Sequence, residues 1–71
     1  MITKEELETS RWQKIVSSQS IYQKKGDKFY IQHNIERHYT TLEMIHPIVS
    51  IILYTPTIEI LNSVAMAFGV S

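Results

Sequence analysis

The chain has no cysteine, two glycines and two prolines, and from His38 to its end it carries neither lysine nor arginine. Without cysteine there is no disulfide framework, no thiolate metal site and no cysteine nucleophile. Two glycines cannot build a phosphate-cradling loop. No G-x-S-x-G elbow or comparable context marks out one of the serines, so no catalytic residue is assigned and an enzyme is not expected. A secretory signal is also missing, because the opening MITKEELE is charged and has no apolar core, which makes a cytoplasmic protein the expectation. Residues 44–70 are long enough to cross a bilayer but are interrupted by His46, Pro47, Glu59 and Asn62. A central acid costs at least roughly 2.5 kcal/mol on insertion, so no membrane role is expected. His33, His38, His46 and Glu43 are the available metal ligands, but His33 and His38 stand about 140° apart around a helix and do not converge. No metal, no cofactor and no small-molecule substrate are expected.

What is present is a short chain with an uneven charge. Seventy-one residues make one domain, residues 1–71, with a modest core. A chain of this size buries only about 60% of its unfolded surface, so association adds useful stability and a homo-oligomer is expected. All seven basic residues, Lys4, Arg11, Lys14, Lys24, Lys25, Lys28 and Arg37, fall within residues 1–37 with five of the seven acids. From His38 onward the only full charges are Glu43 and Glu59. The first part is suited to solvent, whereas the second needs cover.

Local signals predict a mainly helical fold. Thr3 and Glu6 have the spacing of a capping box, with Glu5, Glu6 and Glu8 placed for the positive end of a helix dipole, so a helix starts at residue 3 or 4. Leu7, Ile15 and Tyr22 share a face, with Trp12 and Val16 beside them, although Ser17, Ser18 and Ser20 weaken a helix there. Residues 20–32 have two readings: a helix that ends at Lys24-Lys25-Gly26, or a β-hairpin whose turn uses Gly26 at positive φ. Asn34 can cap a helix containing Ile35, Tyr39, Leu42 and Ile45, interrupted at Pro47. Residues 48–54 fit a short buried helix or a strand, with the helix preferred because the segment leads into a strong helical pattern. In that pattern Thr55 as cap, Pro56 in the first turn, the repeat Ile58, Leu61, Ala65, Phe68, and Gly69 as stop predict a helix over about 56–68.

That final stretch carries a resemblance. Pro56-Thr57-Ile58-Glu59-Ile60-Leu61, Val64-Ala65 and Ala67-Phe68-Gly69-Val70-Ser71 resemble the closing helix of the phage repressor and Cro helix-turn-helix family over about 16 residues. The resemblance implies a small single-domain helix-turn-helix-like bundle, with Gln32, Ile35 and Tyr39 in the second helix and Lys25-Gly26 ending the first. It also implies that the family continues past Ser71. Glu36, Thr40 and Ile52 stand where the family has small residues or glycine, and Pro47 falls inside the recognition helix, residues 41–53. That segment has no Arg, Lys, Asn or Gln with which to read bases. The alternative fold is α+β, with a β-hairpin at about 20–32.

The sequence supports two functional expectations. Under the first, the chain is a small non-enzymatic regulator acting in transcriptional control, with DNA or another regulatory protein as partner. Lys24, Lys25, Lys28 and Arg37 would then meet phosphates, with Gln32 and His33 nearby. Under the second it is an oligomeric protein-interaction module, an inhibitor or assembly adaptor without a nucleic-acid role, whose contact residues are Ile48, Ile51, Ile52 and Tyr54 in the uncharged run from Met44 to Ile58.

Overall fold

Between residues 21 and 44 buried side chains recur at every second position, Tyr22, Ile31, His33, Thr40 and Leu42, which is the period of strands with one covered face. The computed structural model describes residues 1–44 and 46–71. Its elements are α1 (Lys4–Thr9), β1 (Gln13–Lys14), β2 (Ile21–Lys25), β3 (Phe29–Asn34), β4 (Tyr39–Met44), β5 (Val49–Leu53) and α2 (Ile58–Ala67). The strands form one antiparallel meander in the order β1-β2-β3-β4-β5.

Register aligns the rows of the covered face. Tyr22 stands opposite His33, His33 opposite Thr40 and Thr40 opposite Leu53; the next row is Lys24, Ile31, Leu42 and Ile51. The buried members of these rows join Leu7 from α1, Trp12, and Ile58, Leu61 and Ala65 from α2 in a single core, closed by Ile2 and Val70. Phe68, at the end of α2, meets Phe29 edge to face, with centroids 5.3 Å apart. The opposite face is largely polar, its central row running Gln13, Gln23, Gln32 and Thr41.

Both helices end in the same way. After α1, Trp12 N–H donates to the Leu7 carbonyl (2.9 Å) and Arg11 N–H to that of Glu8 (3.1 Å). After α2, Val70 N–H donates to Ala65 (2.8 Å) and Gly69 N–H to Met66 (3.0 Å). These are paired Schellman turns, in which a left-handed residue turns the chain back so that an apolar residue packs beneath the helix. Gly69 (φ 70°) and Arg11 (φ 67°) are the left-handed residues, and Val70 and Trp12 the buried ones.

The mainly helical expectation, and with it the helix-turn-helix bundle, is overturned: α1 and α2 are separated by five strands. Ser17 to Ser20 lie in the turn ahead of β2, so the first helix stops at Thr9. Residues 20–32 make the β2–β3 hairpin, and Gly26 is needed there for close approach rather than for positive φ, since an added Cβ would stand 2.7 Å from the Gly69 carbonyl oxygen. Asn34 caps no helix; its side chain accepts from the Glu36 and Arg37 amides in a tight turn, both at 2.9 Å. Tyr39 and Leu42, three apart, point to opposite faces of β4, so their helical spacing is coincidental; Ile45 lies outside the described residues. Residues 48–54 are not a buried helix but an exposed strand with its ends, because the sheet already fills the space beneath α2. The terminal helix and Gly69 are where the sequence puts them, but the cap is Thr57, which accepts from the Ile60 amide, while Thr55 is buried against the sheet.

Asn62 connects the layers. Its side-chain oxygen accepts from the buried Trp12 indole (2.9 Å) and its amide donates to the Ser10 hydroxyl (3.0 Å), joining α2 to the end of α1. Asn62→Ala leaves the indole N–H buried without a partner, a loss of about 1–3 kcal/mol. Urea unfolding followed by Trp12 fluorescence should show a lower midpoint with an unchanged slope.

Candidate functional site

The sheet has two edges of different character. β1 is two polar residues long, a common way to blunt an edge. β5 is five residues, Val49-Ser50-Ile51-Ile52-Leu53, with no charge and no proline. One side of it pairs with β4; on the other, no strand among the described residues pairs with it, which leaves the N–H and C=O groups of alternate residues to accept another strand. Ile48, Ile51, Ile52 and Tyr54 are all exposed, by 90, 49, 74 and 87%, and Val49, on the covered-face side, by 38%. The helices shelter the Tyr22 to Leu53 row but not the far end of the β4–β5 hairpin.

The charged candidates are divided. Lys24 and Lys25 lie on β2, Lys28 in the β2–β3 turn and Arg37 in the β3–β4 turn at the other end of β3. Six residues of strand, about 20 Å, separate those turns. Gln32 and His33 are neighbours on β3 and face opposite sides of the sheet. The fold therefore sets Lys24 and Lys25 side by side on β2 but on opposite faces of the sheet, holds Arg37 apart from them, and places His33 in the core. The recognition helix assigned to residues 41–53 is the β4–β5 hairpin instead.

His33 belongs to a buried polar row. Its Nδ1 lies 2.7 Å from the Thr40 hydroxyl, which lies 2.6 Å from that of Thr55, while Nε2 is buried with no hydrogen-bond partner. Burial first, then the nearby His38, holds its pKa below the usual 6.5. Tyr22, on the neighbouring strand, is pushed above its ordinary value by burial and by Glu8, whose carboxylate accepts from its hydroxyl at 3.4 Å. The residues brought together around Lys24 and Lys25 include three that sequence reasoning passed over: Arg11, Gln13 and Gln23 line the same cavity.

These features define a meander sheet with two helices over one face and an open apolar edge. No protein-family model, curated protein or solved structure matches the chain. Among the described residues no helix is long and apolar enough to cross a membrane, and no group of three His, Asp or Glu side chains is placed to hold a metal.

A histidine buried neutral makes the fold acid-sensitive. The unfolded chain takes up a proton near pH 6.5 that the native state resists, so His33's contribution is full above 6.5 and declines as pH falls towards the lower native value. The decline is at most about 1.4 kcal/mol per pH unit. Thermal melts between pH 7.5 and 5, approximate limits bracketing the free value, should show the midpoint dropping in wild type and a flatter profile in His33→Gln.

Proposed function

We propose that this chain is a non-enzymatic protein-interaction module of the cytoplasm that works by strand addition at β5, with a second copy of itself as the occupant. The observation that carries the reading is the free, uncharged edge strand with apolar side chains exposed on both faces.

Self-pairing is favoured by the strand's own composition. A two-fold axis at Ile51 sets Val49 against Leu53 and Ser50 against Ile52, with Ile48 near Tyr54. A charged edge strand paired with its own copy brings like charges close together, whereas this strand has none to oppose. The pairing would continue the sheet to ten strands and cover Ile51, Ile52 and Tyr54. Exposed apolar residues clustered along one strand mark an interaction surface more than singly scattered ones do. The uncovered end of the β4–β5 hairpin adds Val49 to the same surface.

Sedimentation equilibrium is the direct test. Wild type should show a concentration-dependent dimer, and Ile51→Lys should weaken it at least roughly thirtyfold, the about 2 kcal/mol expected of a central contact residue. A wild-type chain that stays monomeric at several hundred micromolar would remove the reading.

A further inference from the structure

At the other edge of the sheet β1 begins at Gln13, opposite Gln23, so Lys24 and Lys25 of β2 run past its start. The notch is flanked by Arg11 and Trp12. Arg11, Gln13, Gln23, Lys24, Lys25 and Ser71 line a cavity of about 230 Å3 there. Three cationic residues and two with primary amides line it, Lys24 from the covered face and Lys25, Gln13 and Gln23 from the rows of the other face, and no Asp or Glu side chain does so. Lys24 is fixed by its ammonium, 5.1 Å from the centroid of the buried Trp12 ring.

Holding these groups together works against the fold. Burial and the nearby Arg11 charge both act against protonated Lys24 and lower its pKa. Arg11 also occupies the left-handed position of a Schellman turn, where an L side chain is strained and glycine is favoured. The equivalent turn after α2 has glycine at that position, Gly69. The chain thus keeps a long cationic side chain where a glycine would be more stable, and holds it near the Lys24 ammonium.

We propose that the notch formed by Arg11, Gln13, Gln23, Lys24 and Lys25 is a binding site for a small phosphate-type oxyanion. A guanidinium gives a paired, planar donor set, the ammonium groups supply charge from either side of the strand edge, and the Gln13 amide adds a hydrogen-bond donor for a tetrahedral anion. The volume lies below the about 300 Å3 at which pockets for drug-sized ligands begin, so it admits a phosphate group rather than a large ligand. The source is either free inorganic phosphate or the phosphate head of a small monoester.

The test uses the full chain at constant ionic strength, titrated with inorganic phosphate, with methyl phosphate and, as control, with chloride. The readouts are backbone amide shifts and the fluorescence of Trp12, the single tryptophan, through its contact with Lys24. Saturable shifts centred on residues 11–13 and 23–25 with either phosphate, but not with chloride, are expected. Tighter binding of inorganic phosphate identifies the free ion as the source, and tighter binding of methyl phosphate the monoester. Arg11→Gly should raise the thermal midpoint while weakening binding about tenfold or more, the loss of a charge-assisted hydrogen bond. Lys25→Gln, on an exposed position, should also weaken it, and Lys28→Gln, outside the notch, should not. Absence of saturation at low-millimolar phosphate would overturn the proposal. So would equal losses in Lys25→Gln and Lys28→Gln, which mark a diffuse positive surface.

Discussion

The fold depends on covering one face of a five-stranded sheet with two helices of six and ten residues, too few to do so by length alone. Each is therefore tied down at its end. Asn62 bonds the Trp12 indole and Ser10, so α2 and the chain leaving α1 are fixed to each other as well as to the sheet. The Schellman turns then fold Trp12 and Val70 beneath their helices, and both residues join the core. Burying a large apolar side chain is worth about 1.5–3 kcal/mol. In a chain with so small a core, few such residues can be lost.

Helix ends were legible because they are local. A capping box at Thr3 and Glu6, a threonine before an apolar repeat and a glycine after it depend on neighbours within four residues; α1 begins, and α2 begins and ends, close to those marks, whereas the end of α1 at Thr9 carried no such mark. The strands were harder. Ile35, Tyr39 and Leu42 keep helical spacing, yet two face opposite ways across β4 and the third lies in the preceding turn. Their fate was decided by partners on β3 and β5 that no short window contains. The resemblance around residues 55–71 had the same limit, since a terminal helix with a leucine, an alanine and a closing glycine suits any layer that needs one amphipathic cover.

The candidate sites divide along the same line. Ile48, Ile51, Ile52 and Tyr54 were visible as an uncharged apolar run, but sequence could not say whether a helix would bury them; exposure results from β5 being last in the meander. Arg11 was hidden because its neighbours in the notch are brought to it by strand pairing twelve to fourteen residues away. His33 read as a surface group and is core, because its strand turns it towards Thr40.

Two features oppose stability and lie on different edges of the sheet. An apolar strand is left open at β5, and a left-handed arginine stands among lysines beside β1. The core uses Leu53 of β5 and the turn at Arg11 that buries Trp12, but neither the exposed Ile51 and Ile52 nor the arginine side chain is part of it. Three strand spacings, about 14 Å, separate β2 from β5, so a chain paired at one edge leaves the notch at the other open. A symmetric pair joined through β5 would therefore carry its two notches on its outermost strands, turned away from the shared edge. The short β1 offers that outer edge little to pair with, so strand addition at β5 would give a closed dimer instead of an open fibre.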